Sequence, residues 1–235
     1  MPQGEIPIVL TGTIAPRAIY TAHADAGRRR QEYLDAVRWY ARHAPVHFLE
    51  NSGHRFADDA DFAAIAGATY FEHPPSDCFD KGKGYQEFEM LDAWVANAPA
   101  RPARFLKITG RYIVQNIAQV LADCADASSA RAIVERKLWP THSARTDVAL
   151  FDAGFYRKHI AGLYRECDDS ARVYLENVVR RHLEGVAGIE VFRHYPVKTG
   201  MNGSKGIPLP SGPWESTKIA LRDALYHVNG AYRFF

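Results

Sequence analysis

Four short apolar runs, residues 6–10, 46–49, 68–72 and 105–108, are separated by segments of helical periodicity, and this alternation limits the folds open to the chain. Apolar runs of four to six residues closed by turn chemistry read as buried strands. Thr11-Gly12-Thr13 and Pro16 close the first run, and Glu50-Asn51-Ser52-Gly53 closes the second. Between them, residues 25–43 carry Tyr33, Leu34, Val37, Trp39 and Tyr40 at helical spacing, and Pro45 ends that segment. Residues 56–66 also read as helical, and Phe88, Leu91 and Trp94 mark one face of a further helix. Strands alternating with helices predict a mostly parallel central sheet flanked by helices, with ligands at the carboxyl ends of the strands.

The second half is less regular. Residues 130–137, 148–151 and 189–195 read as strands, 154–163 and 170–183 as helices, and 214–232 as a closing amphipathic helix interrupted near Gly230. Residues 196–213, rich in Gly, Pro and Ser, read as a flexible loop or lid. A chain of 235 residues suffices for one core, so a single domain over 1–235 is expected. Cys78, Cys124 and Cys167 are odd in number and lack metal spacing, which suits a reducing compartment. No apolar run reaches the roughly 18 residues of a membrane span, so a soluble cytoplasmic protein is expected. The net charge of +2 and the lack of a continuous basic-aromatic stripe count against nucleic acid as a partner.

The fourth run is unusual because Lys107 lies inside it and Thr109-Gly110-Arg111 ends it. A charge inside an apolar strand costs several kcal/mol unless it is paired or reaches a site mouth. A buried ion pair is therefore one reading. The other is a polyanion site, since a guanidinium fork suits phosphate oxygens, an ammonium supplies a point charge and a glycine admits a close ligand. Lys81-Gly82-Lys83-Gly84 ahead of a helix supports the same two readings, a solvated turn or a diphosphate loop. Neither GxxxxGK[ST] nor GxGxxG occurs.

The combination KGKGYQEFEMLDAWV, FLKITGRYIVQN, TDVALFDAGFYRKHI and YLENVVRRHL resembles a group of bacterial glycosyltransferases that build capsule, O-antigen and other surface polysaccharides. In that group a G-x-G-x-x-E helix start, here Gly82, Gly84 and Glu87, precedes a K-[IL]-[TS]-G-R-Y strand end, here Lys107 to Tyr112. The resemblance runs to about Leu183. It implies an α/β, single-domain GT-A-like (Rossmann-like) sandwich. Residues 1–125 would form the nucleotide-sugar half and residues 126–235 the acceptor half. It also implies a hexosyltransferase using a nucleotide-sugar donor, a UDP-sugar being the first choice. The acceptor would be a glycan or lipid-linked glycan of capsule, O-antigen or lipopolysaccharide type.

The implied donor-binding residues are Thr11, Gly12, Thr13, Glu50, Asn51, Lys81, Lys83, Gly84, Glu87, Lys107, Thr109, Gly110 and Arg111. Asp147, Glu176 and Asp169 are the carboxylates considered for catalysis, with Asp147 first as general base. Asp168, His142 and His194 are alternatives, and Glu176 also reads as a partner for Arg180 one helical turn on. A GT-A strand end usually carries Asp-x-Asp for Mg²⁺ or Mn²⁺, and none stands here. Asp59-Ala60-Asp61 reads as incidental in a surface helix, so either Lys107, Arg111 and the Lys81/Lys83 loop neutralise the diphosphate without a cation, or Asp147, which matches the group's downstream Asp, binds Mg²⁺ or Mn²⁺ or the donor sugar. The competing function is a non-catalytic glycan- or nucleotide-binding component of a polysaccharide assembly complex. Arginines beside aromatics in LRDALYHVNGAYRFF also suit a peripheral contact at the inner face of the cytoplasmic membrane.

Overall fold

The computed structural model describes residues 5–17, 21–22, 24–55, 58–97, 102–137, 143–202 and 206–229. His142, residues 203–205 of the glycine-rich loop, Gly230 and the end of the C-terminal segment lie outside them.

Strands β1 (Ile8–Gly12), β2 (Val46–Glu50), β3 (Ala68–Glu72) and β4 (Arg104–Thr109) form a parallel block. With β6 (Ala132–Lys137), β7 (Ser143–Asp152) and β8 (Ile189–Glu190) they make one seven-stranded sheet, ordered β3-β2-β1-β4-β7-β6-β8. Strand β7 runs antiparallel to both its neighbours. Its N-terminal end therefore lies beside the C-terminal ends of β1 and β4, and Arg145, Thr146 and Asp147 reach the edge where ligands are expected.

Helices α1 (Ala26–Tyr40) and α4 (Ile117–Asp126) cover one face of the sheet, through Tyr33, Val37, Tyr40, Ile117, Val120 and Cys124. Helices α3 (Lys83–Asn97), α5 (Ala153–His159) and α6 (Leu175–Leu183) cover the other, through Phe88, Leu91, Trp94, Tyr156 and Val178. Strand side chains divide between these cores with period two: Leu106 and Ile108 face α1, whereas Phe105 faces α3. The same parity points Lys107 and Thr109 toward α3. Because Val9 pairs with Lys107 and Thr11 with Thr109, Thr11 joins them on that face.

Several elements differ from the sequence reading. Helix α4 was not anticipated, although Ile117, Val120 and Cys124 share its buried stripe. Among the described residues of 56–66 the α-helix is α2 (Ala60–Ala63), and within 170–183 it begins at Leu175. Strand β8 stops at Glu190. The segment 196–213 contains β9 (Lys198–Thr199), which pairs antiparallel with β5 (Ile113–Val114). Asn116 fastens its start, donating to Tyr195 O at 2.9 Å and accepting from Val197 N–H at 2.9 Å. A loop with its backbone groups tied into a ladder and to an amide side chain is held on the body.

Helix α7 (Pro213–Asn229) docks through Arg222, which pairs with the fully buried Glu135 and lies over the Tyr195 ring at 4.8 Å. Burial pushes the Glu135 carboxyl up to about 7 against the pull of Arg222, Lys198 and Arg145. Among the described residues no helix is long and apolar enough to cross a membrane.

Candidate active site

The cleft is built around Glu87. Glu87 sits one turn before Leu91 and two before Trp94, so it lies on the same inward stripe of α3 that packs on the sheet. That stripe meets Thr11, Lys107 and Thr109. Glu87 Oε1 accepts from the Thr11 hydroxyl, from the Thr109 hydroxyl at 3.0 Å and from the Lys107 ammonium at 2.6 Å. Lys107 also donates to Thr146 O at 2.6 Å and to Thr109 Oγ1 at 3.2 Å. Its side chain is 0% exposed and lines neither cavity of the cleft. Lys107 therefore stands in the buried ion pair, not at the mouth as a polyanion site would need, and its ammonium positions Glu87.

Two cavities adjoin at this point and share the walls Lys83, Glu87, Thr109 and Arg111. The smaller, about 90 Å³, lies under the β1 loop and adds Gly12, Thr13, Arg29 and Tyr33. The larger, about 550 Å³, extends toward β7 and α6 and adds Arg145, Asp147, Asp169, Tyr174 and Glu176. Three cations surround the smaller cavity. Arg111 is 7% exposed, and among the described residues its contacts are long, 3.4 Å to Glu32 and 3.3 Å to Met201 O. Arg29 donates to Thr13 O at 2.8 Å and to Tyr33 OH at 3.0 Å. Burial, with Arg111 nearby, lowers its guanidinium from the ordinary value. Lys83 comes down to about 8, chiefly through burial, with Arg111 and Arg29 adding repulsion and Asp169 opposing them. An anion bound among mutually repelling, partly desolvated cations would relieve both costs, which is the chemistry this arrangement offers.

Other expected site residues are placed elsewhere. Glu50 is 1% exposed and accepts from Ile14 N–H and Ser52 N–H, both at 2.9 Å. Asn51 accepts from Thr13 Oγ1 at 2.6 Å and donates to Gln86 O at 3.1 Å. Both brace the β1 loop instead of taking ribose hydroxyls, and neither lines the cleft. Lys81 pairs with Asp168 at 2.7 Å outside the cavities, and Asp168 also accepts from Ser170 N–H at 3.0 Å. Gly110 serves backbone packing: a Cβ there would stand 2.8 Å from Thr11 O, the acceptor of the Gly110 N–H. Gly82 adopts φ +99° with Asp169 where its Cβ would be, and Asp169 Oδ2 accepts from Lys83 N–H at 3.3 Å. The start of α3 is thus capped by a carboxylate, so Lys83 contributes its ammonium and not a vacant amide. Gly84 lines the larger cavity beside Leu175.

The carboxylates differ in kind. Burial pushes Asp147 upward, but Lys198 at 2.6 Å and Arg145 at 3.2 Å outweigh it and hold the group well below the usual range. A carboxylate held so firmly as an anion is a weak base. Its selection as first general base is corrected on that ground. Glu176 lies in the first turn of α6 and forms no ion pair with Arg180. Its side chain is exposed to water at the wall of the larger cavity. Desolvation first, and then Glu87 and Asp147, raise it above an ordinary glutamate. Asp169 is raised by burial, opposed by the Lys83 amide and ammonium. His194 is engaged by Asp123 at 3.0 Å, outside the cavities.

The residues present do not suit a divalent cation. Among the described residues no three His, Cys, Asp or Glu side chains gather as a ligand set. Asp147 already shares Oδ2 between two cations, and its Oδ1 is closed off from water without a partner. Asp59 and Asp61 both pair with Arg30.

Sequence reading passed over Arg29, Tyr33, Arg145, Tyr174 and Lys198. Arg29 was readable: it precedes Tyr33 by four residues and Tyr40 by eleven, which places it on the buried stripe of α1 and not on a solvated basic face. Lys198 carries no such signal, because its position depends on the pairing of β9 with β5.

No family model matches the sequence, and no curated protein matches it. Among solved structures, the glycosyltransferase GlyE of Streptococcus pneumoniae TIGR4 is similar over 80% of this chain, at 11% identity and a TM-score of 0.50. This chain spans 45% of that structure's length. A Bacillus anthracis protein assigned as a glucose-1-phosphate thymidylyltransferase is similar at 15% identity and a TM-score of 0.50. That match covers 97% of this chain and 98% of the other. The chain has the GT-A-like, Rossmann-like α/β fold shared by glycosyltransferases and nucleotidyltransferases.

Proposed function

We propose that the protein is a nucleotide-sugar-dependent glycosyltransferase that extends a bacterial surface glycan of capsule, O-antigen or lipopolysaccharide type. The observation that carries this reading is the convergence of Arg29, Lys83 and Arg111 on the smaller cavity, where the ends of β1 and β4 open into a larger one. In this reading the donor diphosphate, a UDP-sugar as first choice, lies against those cations. The acceptor glycan, free or lipid-linked, enters the 550 Å³ cavity. Residues 1–125 then form the donor side and 126–235 the acceptor side.

In an inverting displacement the acceptor oxygen bonds to the anomeric carbon as the bond from that carbon to the phosphate oxygen breaks. The bonding pair leaves with the nucleoside diphosphate, whose growing charge is held by Arg29, Lys83 and Arg111. Glu176 takes the hydroxyl proton, and its raised pKa suits a base. Glu87, fixed through Oε1 by Lys107, Thr11 and Thr109, leaves Oε2 for a donor-sugar or acceptor hydroxyl.

A second reading, a nucleotidyltransferase joining a sugar phosphate to a nucleoside triphosphate, draws on the end-to-end likeness to the Bacillus anthracis protein. Products separate the two. A panel of nucleotide-sugars, assayed by thermal shift and by nucleotide release, is expected to stabilise the fold and to yield nucleoside diphosphate. Pyrophosphate from a triphosphate and a sugar phosphate would instead select the second reading. Binding without release of either would select the non-catalytic component. Donor affinity is further expected to fall as pH rises through about 8, because Lys83 then loses the charge that meets the diphosphate. Isothermal titration across that range should record proton uptake on binding.

A further inference from the structure

Lys198 stands at Asp147, a carboxylate of the larger cavity. It is carried by β9, and the short β5–β9 ladder pins its backbone opposite Val114. Its side chain is 4% exposed, and Nζ lies 2.6 Å from Asp147 Oδ2. Arg145, donating through Nη1 to Tyr195 OH at 2.8 Å, brings Nη2 to 3.2 Å from the same oxygen. Lys198 also lies over the Tyr195 ring at 5.5 Å. The ammonium is therefore built in: fixed by a strand, desolvated by an aromatic ring and matched to a carboxylate with a second cation beside it.

We propose that Lys198, with Arg145, is a resident counter-ion that replaces a divalent metal at Asp147, so that nucleotide binds the cleft without any metal. This rests on the donor reading above and goes beyond it by assigning how the cleft's charge is balanced. A divalent ion needs oxygen ligands free of competing cations. Asp147 Oδ2 is occupied by two such cations and Oδ1 is sealed. The positive field at this end of the larger cavity is supplied by side chains, which cannot dissociate. Removing Lys198 and Arg145 together, while leaving Asp147, would free Oδ2 for Mn²⁺. Lys198 is thus a positioning residue: it lines the cavity behind Asp147 and not the cleft itself.

The test uses the full chain with UDP, and with ADP, GDP, CDP and TDP as controls, each titrated by calorimetry in EDTA and in Mn²⁺. Electron paramagnetic resonance of Mn²⁺ is recorded in parallel, with no nucleotide and with UDP. For the wild type the affinity for the bound nucleotide is expected to agree within about twofold between EDTA and Mn²⁺, with no protein-bound Mn²⁺ signal. The double variant Lys198→Met with Arg145→Met, which frees Oδ2, is expected to bind nucleotide at least about tenfold more weakly in EDTA, to regain it in Mn²⁺ and to show one bound Mn²⁺; a double variant that shows no such recovery overturns the inference. Lys198→Arg, which keeps the charge, should retain the wild-type independence of metal. Wild-type binding that disappears in EDTA and returns with Mn²⁺ overturns this inference alone, whatever the variants do. No binding of any nucleotide to the wild type in either condition overturns the donor reading and this inference together.

Discussion

Replacing Arg111 by alanine is expected to lower kcat/KM for the nucleotide-sugar by roughly 100-fold while changing global stability by about 1 kcal/mol. The reason lies in its contacts. Glu32 at 3.4 Å and Met201 O at 3.3 Å are long partners, so the folded chain gains little from them. A phosphate, by contrast, would receive charge-assisted hydrogen bonds from a guanidinium already desolvated to 7% exposure. Losing such a contact costs about 3 kcal/mol of binding. Kinetics and urea denaturation on the same preparation separate the two roles. If stability falls by several kcal/mol and the residual folded protein turns over normally, Arg111 belongs to a structural ion pair. Arg111→Lys should recover part of the loss, since a point charge cannot reproduce the fork.

Replacing Glu176 by glutamine is expected to reduce kcat by about 10²- to 10⁴-fold and to leave donor affinity unchanged. Glutamine keeps the shape and removes the proton acceptor. In the wild type the rate should decline on the acid side as Glu176 takes up a proton. Because desolvation in the cleft, with Glu87 and Asp147 nearby, raises this carboxyl, that limb should lie at higher pH than an ordinary glutamate would give. The limb should vanish in the variant. A variant with full turnover and an unaltered acid limb would assign the base to another group, Asp169 being the next carboxylate raised in the cleft.

The contrast between these residues explains which parts of the protein can be read from its sequence. Strands β1, β2 and β4 announce themselves because they are buried on both faces, which requires nearly continuous apolar runs. Their spacing by helices then fixes parallel order. Strand β7 was anticipated only as 148–151, since Arg145, Thr146 and Asp147 in its first half line the cleft and break the apolar signature. Chemistry hid the strand at the point where it matters. Lys107 and Arg111, four residues apart, carried the same ambiguity in sequence and resolve in opposite ways. Strand parity turns Lys107 under α3 and onto Glu87, whereas Arg111, beyond the strand end, emerges into the cleft. Glycines show the same limit: Gly110 could admit a ligand or a neighbouring strand, and only the position of Thr11 O decides for the strand.

The site depends most on contacts made late in the chain. Lys198 reaches Asp147 across fifty residues of sequence separation, and Glu176 and Tyr174 arrive with the start of α6. No local pattern encodes such meetings, because each is set by where two elements cross and not by either alone.

A crystal structure of the full chain with bound UDP bears most directly on the role given to the three cations. Phosphate oxygens within about 3.2 Å of Arg111 and Lys83, with Arg29 facing the smaller cavity beside them, are the expected result. A nucleotide seated elsewhere, with Arg111 still turned to Glu32 and Lys83 held against Asp169, would contradict it.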